Sequence, residues 1–226
     1  MAYKDILKLR PWIEINRFQL LLLATGLVLI LPAFTGGGFL SELLFVACLS
    51  FLFIQSMIVA YAMRRTHHAL RAALVAFMVI IFWLDPAGVR SHIFDMLQLM
   101  LLVLFFIFVT SSLITFIRRS KEVDLNVILA AINIYLLMGI VTGSLAFLLY
   151  MIYPAGYNFP DQIPNPDWVT FTYYSFITML TVGYGDITPA INQTQTLAYL
   201  TALVGQLYIA IIIAILVGKF MAGKTH

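Results

Sequence analysis

Six consecutive residues, Thr181-Val182-Gly183-Tyr184-Gly185-Asp186, have the types and spacing to replace the water shell of a dehydrated cation. The oxygens available for that without a net charge are backbone carbonyls and hydroxyls. Carbonyls of Thr181, Val182, Gly183 and Tyr184, with the Thr181 hydroxyl below them, would supply a stack of such oxygens. For successive carbonyls to face one axis, alternate residues must leave the ordinary φ < 0 regions, and only glycine does so cheaply. Gly183 and Gly185 stand two apart, as that requires. Val182 and Tyr184 then point away from the axis, where Tyr184 braces the loop by packing and through its hydroxyl.

A glycine-rich hexamer alone is more often an ordinary turn, so the flanks decide. Upstream, Asp167 follows Pro166 as an N-cap for a helix reaching Leu180, roughly four turns long and too short to cross a bilayer. It reads as a re-entrant half-helix whose C-terminal, partially negative end aims at the ion path. Downstream, Ile187-Thr188-Pro189 stops the loop, and a long apolar helix follows over about residues 192–218.

With these flanks the hexamer matches the selectivity filter of potassium channels, and the chain resembles the six-helix type of that family with one pore loop. The likeness is strong over about residues 121–220, whereas residues 1–117 match only in helix number. The resemblance implies potassium as the permeant ion, held at Thr181, Val182, Gly183 and Tyr184, with Gly185 completing the filter. It implies support from Asp186, Tyr173, Tyr174 and Thr178, the two tyrosines forming an aromatic cuff around the filter tyrosine. Since each chain carries a single loop, it implies a homotetramer around one axis.

The resemblance further makes the last helix the pore-lining one, with a hinge at Gly205, nineteen residues after Asp186. A packing contact is the equal alternative for that glycine. Ala210, Ile211, Ala214, Ile215 and Val217 are then an inner apolar constriction that gates by dewetting. Gly218 closes the helix. Leu180 stands where many members of the family carry another threonine, and Ile177 where some carry a glutamate behind the filter.

The rest of the chain fits a membrane setting. Of its 226 residues 62% are hydrophobic and 10% charged, with a mean hydropathy of +1.00, outside the range of soluble domains. By the rule of about 20 apolar residues per crossing, spans fall near residues 18–34, 40–63, 69–84, 93–117, 125–153 and 192–218. The fold class is therefore an all-α membrane protein with six transmembrane helices, one re-entrant pore helix and a filter loop per chain. Its organisation is a cytoplasmic or interfacial segment 1–17, a four-helix domain 18–117, a pore domain 118–220 and a short tail 221–226.

Orientation follows from the basic residues. With both termini cytoplasmic, Lys4, Lys8, Arg10, Arg17, Arg64, Arg65, Arg71, Arg118, Arg119, Lys121, Lys219 and Lys224 are inside and only Arg90 is outside. Residues 1–17 lie along the inner interface, Pro11 starting or breaking a helix there and Trp12 anchoring it. The first apolar run is longer than a signal-peptide core and no small-x-small site follows it. Gly36, Gly37 and Gly38 form the first outer turn.

A voltage-sensing helix needs repeated basic residues at membrane depth, each worth ~2.3 kcal/mol per 100 mV. Residues 93–117 contain none, so conventional voltage gating is not expected. Asp95 and Gln98 read as a helix-packing pair. His67 and His68 sit in a basic inner turn, where contact with anionic headgroups outweighs pH sensing. Cys48 is the single cysteine, so an internal disulfide is excluded. No carboxylate, histidine or cysteine cluster gathers at one depth, which leaves an enzyme and any cofactor unsupported, and nucleic acid is not an expected partner. The expectation is thus a passive potassium channel of a cell membrane, of prokaryotic inner-membrane type, in contact with lipid and with a regulatory ligand or lipid left open. After Gly218 no room is expected for a ligand-binding gating domain. The alternatives are a weakly selective cation channel and a non-conducting regulatory membrane subunit.

Overall fold

An apolar segment in a bilayer must satisfy its backbone internally, so long hydrophobic runs become helices. The structure, a computed structural model, describes residues 2–34, 39–63, 68–84, 91–120 and 122–223. In chain order these form α1 (Ala2–Phe34), α2 (Phe39–Met63), α3 (His68–Trp83), α4 (His92–Arg119), α5 (Leu125–Ile152), a 3-10 turn (Pro154–Gly156), β1 (Tyr157–Asn158), α6 (Trp168–Met179), β2 (Thr188–Pro189) and α7 (Asn192–Gly223). The expectations for Gly36, Gly37, Gly38, Arg64, Arg65, His67, Arg90, Lys121 and Lys224 lie outside the described residues.

Among the described residues four helices are long and apolar enough to cross a membrane: α2 over Phe39–Val59, α4, α5, and α7 over Asn192–Ile215. The apolar stretches of α1 (Asn16–Pro32) and α3 (Ala73–Trp83) are shorter. Two expectations about helix ends are corrected. Pro11 neither starts nor breaks a helix, because α1 runs through it from Ala2. An interior proline removes one hydrogen bond and costs about 3 kcal/mol, yet the helix continues on both sides of Pro11. Gly218 does not close the last helix, which continues to Gly223. It is not in the left-handed conformation of a glycine cap, and nothing packs within 4 Å of where a Cβ would sit.

The chain divides into two compact units. The front unit holds Met1–Arg90, Ser111–Arg119 and Leu125–Asn133. In it α1 packs on α2 and α2 on α3. The stripe Phe18, Leu21, Ala24 and Val28 of α1 is fully buried, at the spacing of one helix face. Phe18 meets Phe116 at 4.8 Å between ring centres, and Phe53 meets Phe82 edge-on at 5.5 Å. The Trp83 indole donates to Ser50 Oγ at 3.0 Å.

The second unit holds Ser91–Thr110, Ser120–Asp124 and Ile134–His226. Gln98 is buried in it, as a packing residue should be, while its neighbour Asp95 sits in the first turn of α4. Its core is aromatic: Tyr157, Phe171 and Tyr174 are buried with Ala146 and Ile187, and Phe147, Tyr150 and Phe159 pack against them. Around Phe171, the rings of Tyr150, Tyr157, Phe147 and Phe159 lie 5.0 to 5.7 Å away. The short helix α6 is seated against α5 by small residues. A Cβ on Gly139 would fall 2.6 Å from Phe176 Cε1, and one on Gly143 would fall 2.9 Å from the Thr172 Cα. The two glycines are one turn apart, the spacing that lets helix backbones approach in a membrane.

Gly143→Ala should therefore destabilise the protein by about 1–3 kcal/mol, because the obstacle is backbone and cannot rotate away. Gly26→Ala, with nothing within 4 Å, is the control. Melting of the two variants in detergent or nanodiscs checks this: the first should drop by several degrees and the second should match the parent.

Candidate functional site

The site is built from the short helix outward. Asp167 caps α6 as a capping box: its carboxylate accepts from the Thr170 N–H at 2.9 Å and the Thr170 hydroxyl at 2.8 Å, while the Asp167 N–H reaches back to Thr170 Oγ1 at 3.4 Å. The helix is 12 residues long, about 18 Å at ~1.5 Å per residue. Its side facing α5 is fixed by polar contacts as well as by the two glycines. Ser175 Oγ donates to the Gly139 carbonyl at 2.9 Å and pairs with Thr142 Oγ1 at 2.5 Å. The Trp168 indole donates to Ser144 Oγ at 2.9 Å.

The C-terminus of α6 shapes the loop that follows. Its last carbonyls would be unpaired in a free helix. Here the Leu180 N–H binds the Phe176 carbonyl at 2.9 Å, the Thr181 N–H binds Thr178 O at 3.0 Å, and the N–H groups of Val182 and Gly183 both bind Ile177 O, at 2.9 and 3.2 Å. Among the described residues all peptide bonds are trans, so each carbonyl points opposite to the N–H of the following residue. Tying back the Val182 and Gly183 N–H groups therefore turns the Thr181 and Val182 carbonyls away from α6.

Three alternate residues are in the left-handed region: Thr181 at φ 59, Gly183 at φ 53 and Gly185 at φ 79. Alternation of hand along a chain is what lets consecutive carbonyls face one side. The two glycines were expected in this role. Thr181 was not, since a β-branched residue at positive φ costs about 1–2 kcal/mol. Its own N–H bond to Thr178 O and the bond of its neighbour to Ile177 O hold it there. Such strain is characteristic of functional loops.

Residues 181–185 are all exposed within the single chain. Tyr184 is 72% exposed, and no ring contact involves it among the described residues. The packing expected for Tyr184 is thus not supplied by the described residues of its own chain. The two tyrosines expected as an aromatic cuff take different partners within the chain. Tyr174 turns into the aromatic core, 5.6 Å from the Tyr157 ring, and Thr178 Oγ1 donates to its carbonyl at 2.8 Å. Tyr173 instead donates its hydroxyl to Asp186 Oδ2 at 2.7 Å. That hydrogen bond, with smaller contributions from burial and from the charges of Asp186 and Tyr184, pushes the Tyr173 hydroxyl up to about 12. The donor therefore stays protonated through the neutral range. Asp186 Oδ1 also accepts from the Ile187 N–H at 3.0 Å.

The far end of the loop is fastened by a strand pair that the sequence did not announce. β1 and β2 are antiparallel, with Tyr157 opposite Pro189 and Asn158 opposite Thr188. The Ala190 N–H and the Thr194 hydroxyl both reach Gly156 O, at 2.9 and 2.7 Å.

Gly205, read as either hinge or packing contact, makes a close packing contact here. It is buried, α7 is unbroken through it, and a Cβ there would sit 2.6 Å from the Met179 carbonyl oxygen and collide with Met179 Cγ. Ala210, Ile211, Ala214 and Val217 are exposed along the same helix. Ile177 was noted only for its side-chain position, and the role of its carbonyl in taking two loop amides was missed, because no side-chain pattern marks that. Gly139 and Gly143 were also missed, although their G-x-x-x-G spacing was a readable signal. Among the described residues no group of three or more His, Cys, Asp or Glu could hold a metal ion.

The family model described as ion channel matches residues 129–222, taking in most of α5, all of α6, the loop and α7. No solved structure gives a significant match to the chain. The match supports an ion channel carried in a membrane by apolar helices.

Tyr173→Phe should free the outer end of the loop while leaving the aromatic core intact. Hydrogen exchange should then rise at the Ile187 amide, which Asp186 now holds, and stay unchanged at Phe171. Equal protection in parent and variant would show that the contact does not hold the loop.

Proposed function

We propose that this protein is the subunit of a potassium-selective channel, with residues 181–185 of four copies lining one ion path. The observation that carries the reading is the alternation of positive φ at Thr181, Gly183 and Gly185, combined with two amides tied back to Ile177 O. A monovalent ion stripped of water needs oxygens around it at each level. One chain presents them from one side, so several copies are needed to close each ring. The cover on α7 agrees with this: 11% of its apolar window is buried in the chain, against 44% for α2, α4 and α5. Leu203, Leu207, Ile211, Ile213 and Val217 are each about half exposed on it.

In this reading the chain crosses the membrane six times with both termini in the cytoplasm, α6 dips in from the outer side, and Asp186 adds negative charge at the outer mouth. The C-terminal end of α6 contributes its negative dipole end to the ion path. Potassium moves passively. The absence of basic residues between His92 and Ile117 of α4 leaves no charges for conventional voltage gating. The inner constriction is the apolar stretch of α7 at Ala210, Ala214 and Val217, and Gly205 holds α7 against the end of α6 instead of bending it.

Protein reconstituted in liposomes should pass potassium and exclude sodium, and barium should block the flux. Equal flux of both ions would support a weakly selective cation channel, and no flux from a purified tetramer would support a non-conducting subunit. Gly183→Ala, which places a Cβ on a residue at φ +53, should abolish potassium selectivity. The strain of about 1–2 kcal/mol is repeated in every copy, so the ring no longer holds its shape.

A further inference from the structure

Among the described residues, three buried oxygens of the front unit find no hydrogen-bond partner: Gln55 Oε1 and Ser56 Oγ on α2, and Asn133 Oδ1 on α5. Their residues are 6%, 0% and 0% exposed. Each buried polar atom left unpaired costs about 1–3 kcal/mol, and native proteins carry only a few per 100 residues. Three in one helical layer require a partner.

Helix geometry puts the three at a similar level. The Asn133 side-chain amide donates to the Phe18 carbonyl at 3.1 Å and to its own helix at Leu129 O, 2.8 Å away. This sets Asn133 beside Phe18 of α1. Phe18 stands sixteen residues before the end of α1 at Phe34, and Gln55 stands sixteen residues after the start of α2 at Phe39. At ~1.5 Å per residue both are about 24 Å from the adjoining ends of two helices that pack together. Gln55 and Ser56 therefore share a level with Asn133.

We propose that the front unit encloses one or more ordered waters at this level, donating to Gln55 Oε1 and Asn133 Oδ1 and exchanging a hydrogen bond with Ser56 Oγ. Two amide acceptors and one hydroxyl suit a buried water, which makes about three hydrogen bonds. A bare cation needs more oxygens and a compensating charge. The acid described on α2, Glu42 in its first turn, lies about 20 Å along the helix from Gln55. The water joins the start of α5, the stretch Leu125–Asn133 that belongs to the front unit, to α1 and α2. It does so through bonds that re-form after small shifts of the helices.

The sign of a stability change tests this on the full chain in nanodiscs. If the oxygens are bridged by water, Gln55→Met strands that water and lowers the melting temperature by about 2–4 °C. Combined with Asn133→Leu it should lose less than the two single losses together, since the lost Asn133–Phe18 bond enters both arms of the cycle and cancels. If Asn133→Leu yields no folded protein, Ser56→Ala takes its place in the cycle. A rise in melting temperature for Gln55→Met, or fully additive losses, overturns the proposal. Melts with sodium or rubidium in place of potassium should leave the gap between parent and Gln55→Met unchanged, and a gap that follows the cation contradicts a water. In a high-resolution map, density within hydrogen-bond distance of Gln55 Oε1 and Asn133 Oδ1 is expected, and its absence beside well-resolved side chains refutes the bridge.

Discussion

Two backbone amides bound to one carbonyl set the shape of the loop. Val182 and Gly183 both donate to Ile177 O, and trans peptide geometry then directs the carbonyls of Thr181 and Val182 the other way. The end of α6 therefore does more than present a partial negative charge. It uses its unpaired carbonyls to hold the amides of the following chain, so the loop's carbonyls are left for another partner. The alternation of φ at Thr181, Gly183 and Gly185 continues that orientation past the helix, and it is strained enough to need such a hold.

A clamp of this kind works only if the helix itself is fixed. Gly139 and Gly143 bring the α5 backbone against α6, and the Ser175 and Trp168 side chains add hydrogen bonds that are strong in an apolar setting. At the other side Gly205 admits α7 up to the Met179 carbonyl. Beyond the loop, the Tyr173–Asp186 hydrogen bond ties its exit to α6, and the β1–β2 pair ties it to the segment before α6. Fixing points on both sides of five exposed residues explains how a strained, solvent-facing stretch keeps one conformation. Small changes at Gly143 or Gly205 act on the loop through the seat of α6, at a distance from any ion.

What could be read from the sequence was what depends on neighbours along the chain. The Asp167 cap, the extent of α6, the long helices and the positive φ of Gly183 and Gly185 all follow from side-chain type and local spacing. Thr181 at positive φ did not, because its strain is offset by bonds to α6 that no local pattern announces. The use of the Ile177 carbonyl was invisible for a related reason: any residue offers a carbonyl, so its use leaves no trace in residue type. The contact of Gly205 with Met179 could not be read until the helix opposite it was placed. The β1–β2 pair joins stretches thirty residues apart, which short-range signals do not reach. Pro11 and Gly218 misled as helix breakers, since one missing hydrogen bond or one flexible residue does not stop a helix whose neighbours favour it.

The account rests on the carbonyls of Thr181 and Val182 acting as ion ligands. Carbon-13 carbonyl shifts of these two residues, measured by solid-state NMR on protein in liposomes with potassium and then with sodium, test it most directly. Both carbonyls should shift when the ion is exchanged, while a carbonyl in the buried aromatic core, such as that of Phe171, should not. Unchanged shifts at Thr181 and Val182 would contradict the account.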